Sequence, residues 1–487
     1  MHGGLSPILA IIPFLLFSAC EASPQETASR IDSDIQAIES GLYPLISFAD
    51  EPMVSIEQRM AFWNVPGVSI AYFNREGLVW AKGYGRSVAN GASVDADTIF
   101  PAASISKSVA ATAALHLIET SDLELDSDIG LLLKGWRIPD SQFGRNQPIT
   151  IRQLLSHTAG FAEYGFETYG AGEPIPTVEQ LLKGQPPAKN PPIELASTPG
   201  TSFAYSNIGY AILELLITEQ TGASFETLVQ ETVLGPLGMT RTTFTTVLPN
   251  KFKNAAARGH DALGKPFGID FPAYPSHASG AMWTTPSDLS RFAAELLKAR
   301  VGMPSDILSP ESVSEMTRDQ SNGNGYGLGV MLIFSPTEEN FGHSGHHDGF
   351  YSTFVAFPAS GDGAVIMSNG EGGERLNAEI FKAMADTYGW KGFERNIALE
   401  LEPSKLETLA GTYQGPGGGD IVFGARQGRL YLEQNPGRSA LLYPIDQRRF
   451  TVATGRSVFE FKFEGDAPTS VTILQPPRPM IEAKRRN

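Results

Sequence analysis

Two periods of hydrophobic pattern divide this chain. Between 65 and 88, VPGVSIAYFNREGLVWAKGYGRSV sets two apolar runs on either side of NREG, which predicts a β-hairpin. SKSVAATAALHLIET, at 106–120, is rich in alanine and predicts a helix. ITIRQLLSHTAGF (149–161) reads as a short helix running into a glycine turn, and YSNIGYAILELLITEQTG (205–222) as a helix closed by Gly222. Between them, 165–200 is dense in glycine and proline and reads as a long loop that shapes a surface.

After 325 the pattern turns to strands: YGLGVMLIF, YSTFVAFP and GAVIMSNG, followed by the helical RLNAEIFKAMADTYGW. Strands at both ends of a helical middle predict an α/β layered domain over 34–392, its sheet completed from both ends of the sequence. A boundary falls at 392–403. Beyond it, in 403–487, LAGTYQ, DIVFGARQGRLYLEQ, LLYPIDQRRFTVA and VFEFKFEG alternate at short spacing, as in a small antiparallel β-barrel or sandwich.

Composition narrows the partners. The 487 residues carry a formal charge of −16, which repels phosphate backbones and argues against nucleic acid. The apolar run LSPILAIIPFLLFSA, at 5–19, is short for a membrane span and fits a secretory signal over 1–20, with 21–33 as a polar tether. FSAC resembles a bacterial lipobox, which makes Cys20, the single cysteine, the expected lipidated residue of an exported, periplasmic lipoprotein. The membrane then enters only through that anchor. With no second cysteine, stability rests on packing rather than disulfides.

Three short stretches carry chemistry. Ser104 and Lys107 stand one helical turn apart at a helix start, so they share a face. The apolar neighbours of Lys107 and the helix dipole both depress its pKa, and a neutral amine can accept a proton from the serine. In YSN at 205–207, Tyr205 and Asn207 flank a helix start and can project a phenol and an amide into a cleft. In GHSGHHDG at 342–349, the small residues Ser344 and Gly345 let a substrate backbone approach an edge strand.

Ser-x-x-Lys, Tyr-Ser-Asn and a short motif ending in Ser-Gly, in this order, resemble the penicillin-recognising serine hydrolases. The similarity is to the branch with class C β-lactamases, D-Ala-D-Ala carboxypeptidases, D-aminopeptidases and β-lactamase-like esterases; LLSHTAGF resembles a landmark of the same branch. The resemblance covers about residues 50–390. It implies a β-lactamase/transpeptidase-like domain, an antiparallel sheet flanked by helices plus an all-helical region, followed by a lipocalin-like C-terminal β domain. It also implies an acyl-enzyme on Ser104, with Lys107 and Tyr205 sharing the acid–base work. Asn207 would hold a substrate amide, the N–H groups of Ser104 and His346 would form the oxyanion hole, and His157 and Gly160 would be structural. No metal or organic cofactor is implied. The substrate would be a small molecule or a peptidoglycan fragment presenting a β-lactam, D-peptide, amide or ester carbonyl.

One departure bears on specificity. His343 stands where class C β-lactamases carry a lysine, so anchoring of a substrate carboxylate would be weaker or pH-dependent. Three other readings compete. His343, His346, His347 and Asp348 could form a metal site, although His346 and His347 point to opposite faces of a strand. A β-lactamase-like esterase without a peptidoglycan role uses the same residues, and so does an envelope receptor that traps ligands without turnover. An α/β-hydrolase is excluded by the lack of Gly-x-Ser-x-Gly. The pattern does not assign an oligomeric state or a role for the C-terminal domain.

Overall fold

The computed structural model describes residues 23–486, apart from 89–90, 145–146, 163, 171, 436–437, 454–456 and 475–479. Cys20 and the apolar leader therefore lie outside the described residues. Among those described, no helix is long and apolar enough to cross a membrane. The segment read as a tether is helical from Pro24 onward: α1 spans Pro24–Ser40. Its start is a capping box, in which the Ser23 hydroxyl accepts from the Glu26 N–H and the Glu26 carboxylate accepts from the Ser23 N–H. The polar tether read at 21–33 therefore carries a helix-start signal of its own.

A five-stranded antiparallel sheet forms the centre. Its strands are β1 (Gly67–Asn74), β2 (Gly77–Gly85), β3 (Phe341–His347), β4 (Phe350–Phe357) and β5 (Asp362–Ser368), in the spatial order β2-β1-β5-β4-β3. The NREG turn pairs Asn74 with Gly77, and β1 meets β5 with Ala71 opposite Val365. The sheet is thus completed from both ends of the domain, and β3 is one of its two outer strands.

Both faces are covered, which is why these antiparallel strands read as nearly continuous apolar runs. Val68, Ile70, Val355 and Ile366 pack with α1 and with α5 (Gly373–Tyr388). Ala71, Phe73, Phe354, Val365 and Met367 face the other way. There they join the larger core, built with α2 (Ser106–Glu119), α3 (Asn207–Thr221) and α4 (Pro286–Arg300). The 165–200 region contains a helical segment, Val178–Lys183, between irregular stretches.

YGLGVMLIF does not form the expected strand. Gly325 and Gly329 take left-handed backbone angles (φ of +70° and +79°), and the segment curls, with the Gly327 N–H donating to the Val330 carbonyl. A Cβ on Gly329 would lie 2.5 Å from the Ala111 Cβ, so the turn is pressed onto α2 where only glycine fits. The Ser108 hydroxyl donates to its carbonyl at 2.6 Å.

The C-terminal strands close into an eight-stranded antiparallel barrel, from Gly411–Gln414 to Ile481–Arg485. Its interior holds Tyr413, Phe423, Phe450, Phe459 and Phe461. The barrel docks on the N-terminal region: the Phe48 and Tyr443 rings lie 5.2 Å apart, and Arg429 bridges Asp50 and Glu400.

Candidate active site

Ser104 sits in a single 3₁₀ turn, Ala103–Ile105, that leads into α2. The preceding Ala103 has φ of +47°. A left-handed alanine costs about 1–2 kcal/mol, and three hydrogen bonds hold it there. The Ala102 N–H donates to the Met282 carbonyl at 2.8 Å, the Ser106 hydroxyl to the Ala103 carbonyl at 2.6 Å, and the Met282 N–H to the Ser106 hydroxyl at 3.0 Å. The turn lifts Ser104 out of the helix while leaving it one turn from Lys107.

The Lys107 amine is completely buried. It lies 3.1 Å from Ser104 Oγ, 2.6 Å from Asn207 Oδ1 and 2.7 Å from the Ser279 carbonyl oxygen. No carboxylate is paired with it among the described residues, and burial pushes its pKa far below the usual lysine range. The Tyr205 and Tyr210 rings face the amine at 5.0 and 5.5 Å. Such rings favour the ammonium by about 0.5–2 kcal/mol, whereas an uncompensated buried charge costs several. Desolvation wins.

The partners of the amine decide the proton arrangement. A neutral amine has two hydrogens and one lone pair. Two of its neighbours, the Asn207 and Ser279 carbonyl oxygens, only accept. The lone pair is then left for the Ser104 hydroxyl. Asn207 is fixed in this orientation because its Nδ2 donates to the Tyr274 hydroxyl at 2.9 Å.

Tyr205 stands beside this group with its hydroxyl buried and without a completed hydrogen bond. Burial raises its pKa well above the ordinary phenol value, a rise that the nearby Ser104 hydroxyl tempers. His157 lies beneath it, ring centroids 4.2 Å apart, and accepts the Ser206 N–H on Nδ1 at 3.1 Å. Burial keeps His157 neutral, so it holds the Tyr205–Asn207 segment in place rather than exchanging protons. Gly160, with φ of +85°, packs so closely on the Ser197 carbonyl that a Cβ would lie 2.3 Å from its oxygen.

The outer strand β3 passes directly over the Ser104 turn. A Cβ on Gly345 would lie 2.1 Å from the Ala102 carbonyl oxygen and 2.9 Å from the Ser104 nitrogen. Gly342 exchanges backbone hydrogen bonds with Met331, away from β4. By strand alternation the main-chain groups of Ser344 and His346 face that same free edge.

The side chains of β3 part company, which corrects the expectation for His343. His343 does not line the cleft. It is wholly buried, with Nε2 3.0 Å from the Tyr326 hydroxyl and Nδ1 2.6 Å from the Ser344 carbonyl, and burial beside Lys107 pushes it down to about 3. It is neutral and unplaced to anchor a carboxylate. The Ser344 hydroxyl is turned toward the Met331 sulfur, 3.9 Å away. His346 is exposed, 3.4 Å from Glu371. His347 donates from Nε2 to the Gly280 carbonyl at 2.9 Å, and burial pushes it down to about 4. The three imidazoles therefore diverge, and no group of three or more metal-ligating side chains converges among the described residues.

The resulting cleft encloses about 410 Å³ and is lined by Ser104, Asn207 and His346, by His347, which the sequence offered only as a metal ligand, and by residues that carried no signal in the sequence, notably Tyr274 and Ser279. Gly165–Thr168 supply one wall, as the loop reading anticipated. Among the described residues, none from the barrel reaches the lining. Ser279 is set by a second buried group. Glu214, on α3 two turns beyond Asn207, accepts from the Ser276 hydroxyl, from His277 Nδ1 and from the Ala278 N–H.

Comparison with known proteins matches residues 55–389 to the family described as Beta-lactamase. The chain is 25% identical over 374 residues to penicillin-binding protein 4 of Amycolatopsis lactamdurans, covering 73% of this chain and 94% of that one. An octameric penicillin-binding protein homologue from Pyrococcus abyssi superposes with a TM-score of 0.62 at 23% identity, over 88% of this chain and 98% of that one. The D-amino acid amidase of Ochrobactrum anthropi SV3 superposes at 0.57 and 21% identity, over 73% and 99%.

Proposed function

This chain belongs to the beta-lactamase family, and from that premise we propose that it is a serine hydrolase working through an acyl-enzyme on Ser104. The observation that carries the reading is the Lys107 amine. It is buried, without a counter-ion among the described residues, and bounded by two obligate acceptors and the serine hydroxyl.

Burial acts on the two candidate bases in opposite directions. It lowers Lys107 and raises Tyr205. Near neutral pH the phenol keeps its proton, so Lys107 takes the proton of Ser104 as Oγ attacks the carbonyl carbon. The oxyanion develops against the N–H groups of Ser104 and His346, on the turn and on the free edge of β3. Tyr205, as the protonated partner, delivers a proton to the leaving atom and recovers one from the Lys107 ammonium. A water then attacks the ester carbonyl, and the same pair returns the proton to Ser104 Oγ. No step calls for a cofactor.

Small amides and esters are the substrate class that this cleft suits. His343 offers no cation for the carboxylate of a β-lactam or stem peptide. The named activity of the Ochrobactrum amidase, a structural neighbour, points to the same class. We also propose export with lipidation at Cys20, which the mass of the mature N-terminal peptide from membranes would test.

The test of the reading is turnover of p-nitrophenyl acetate by wild type and Ser104→Ala. The variant should lose at least about 10³-fold in kcat/KM with unchanged far-UV circular dichroism. Retained activity in the folded variant overturns the proposal.

A further inference from the structure

Glu214 is buried on α3 and takes no direct part in the steps proposed for Ser104. It stands two helical turns beyond Asn207, so both side chains leave the same face of the helix. Asn207 turns its carbonyl oxygen to the Lys107 amine at 2.6 Å. Glu214 turns instead to the segment that supplies the amine's other acceptor.

That segment is a short helical turn, His277–Gly280, and the residue before it, Ser276, gives it no side-chain cap. Glu214 fills the place from α3. One carboxylate oxygen accepts from the Ser276 hydroxyl at 3.0 Å and from the Ala278 N–H at 3.1 Å, and the other from His277 Nδ1 at 2.5 Å. The far ring nitrogen of His277 is held by Thr246 Oγ1 at 2.8 Å and Glu226 at 3.1 Å. Desolvation opposes a charge on His277, but Glu214 and Glu226 outweigh it and raise the imidazole to about 10. The buried carboxylate is therefore paired as well as hydrogen-bonded, which is what holds such a group in one geometry.

A turn this short consumes few of its own carbonyls. The Ser279 carbonyl accepts from Lys107 at 2.7 Å and the Gly280 carbonyl from His347 Nε2, on β3, at 2.9 Å. Met282, just beyond, exchanges hydrogen bonds with Ala102 and Ser106 around the Ser104 turn. Helix α3 thus reaches the amine twice, directly through Asn207 and through Glu214 by way of a main-chain oxygen.

We propose that Glu214 is a positioning residue: by clamping Ser276–Ala278 it holds the Ser279 carbonyl against Lys107 and so keeps the lone pair of the amine on Ser104. The inference rests on the reading of Lys107 as the base for Ser104.

The test follows the acylation rate constant, taken from the burst phase with p-nitrophenyl acetate, across pH in Glu214→Asp, Glu214→Gln and Ser276→Ala. Aspartate keeps the charge but falls a methylene short of the turn. Its acylation should slow about 10–100-fold, with ester binding changed by less than about twofold. The acid limb should also move to lower pH, because an ammonium loses more than a neutral amine when an acceptor is withdrawn. Glutamine keeps the reach and an accepting oxygen, and should stay within about twofold of wild type. Ser276→Ala removes one of the three donors to the carboxylate. It should show the same shift with a loss of about fivefold, and it carries the test if circular dichroism shows Glu214→Asp unfolded.

A folded Glu214→Asp or Ser276→Ala that acylates at the wild-type rate with an unmoved acid limb overturns the proposal. So does a Glu214→Gln that loses as much as Glu214→Asp. Ser104→Ala runs alongside. A burst that survives in it overturns the serine reading and this inference together, whereas a Ser104-dependent burst indifferent to Glu214 overturns the inference alone.

Discussion

The backbone carbonyl of Ser279 accepts from the Lys107 amine at 2.7 Å. It lies 172 residues away along the chain, and it fixes one of the two hydrogens that a neutral amine possesses. Asn207 fixes the other. The amine proposed as general base is thus oriented by one main-chain and one amide oxygen, neither of which changes charge over the working pH range.

Activity should follow the loss of a proton from Lys107. Burial holds this amine well below the usual lysine range, so kcat/KM for an uncharged ester should rise tenfold per pH unit on the acid side. It should level off below the ordinary lysine value of about 10.4. Lys107→Arg keeps a permanent charge and should lose about 10²–10⁴-fold without recovering at high pH. A pH–rate profile of the two proteins checks this; a flat wild-type profile contradicts it.

Gly345 has no room for a side chain. Gly345→Ala would drive β3 away from the Ala102 carbonyl and the Ser104 nitrogen, displacing the His346 N–H from the proposed oxyanion position. The expected loss is about 10²-fold in kcat, with about 1–3 kcal/mol of stability. Steady-state kinetics and urea melts measure both. Unchanged kcat would remove β3 from the mechanism.

His277 gives stability a pH dependence of known sign. Desolvation opposes its charge, but Glu214 and Glu226 outweigh it and raise the imidazole from 6.5 to about 10. A raised folded pKa stabilises the fold fully below the unfolded value and loses that contribution as pH climbs through the folded one. Removing one partner of a buried ion pair costs about 3–5 kcal/mol. The Tm gap between wild type and His277→Asn should therefore be widest at and below pH 6.5 and close as pH rises toward 10. Thermal melts across that range provide the check, and a gap that widens with pH contradicts the assignment.

Phe461 separates the barrel from the chemistry. It is buried against Tyr413, Phe423 and Phe450. Phe461→Ala should cost about 3–5 kcal/mol and lower the barrel's transition in calorimetry. At a temperature where the variant stays folded, kcat/KM should remain within about twofold, since mutations remote from a site act nearly independently of it. A larger loss would tie the barrel to catalysis.

The sequence made much of this legible where chemistry or periodicity left a local trace. Ser104 and Lys107 are one turn apart, Tyr205 and Asn207 sit at a helix start, and Gly345 lies on an edge strand. The layered domain followed from strand spacing, which left the C-terminal strands as either a barrel or a sandwich; closure into a barrel is seen only in the structure. What stayed hidden acts through long-range or anonymous groups. The Ser279 carbonyl is a backbone atom that any residue could supply, and Tyr274 meets Asn207 from 67 positions further along the chain. YGLGVMLIF looked like a strand because its apolar content outweighed its glycines, but two of the glycines in and next to it adopt turn geometry against α2. His343 was expected in the cleft from its place in a motif, but it is buried under Tyr326.

Rapid-quench mixing with p-nitrophenyl acetate, followed by intact-protein and peptide mass spectrometry, tests the central claim most directly. The account predicts a transient mass increase of one acetyl group, mapped to Ser104 and absent from Ser104→Ala. Nitrophenol release without any acetyl adduct in the burst, or an adduct on another residue, would contradict it.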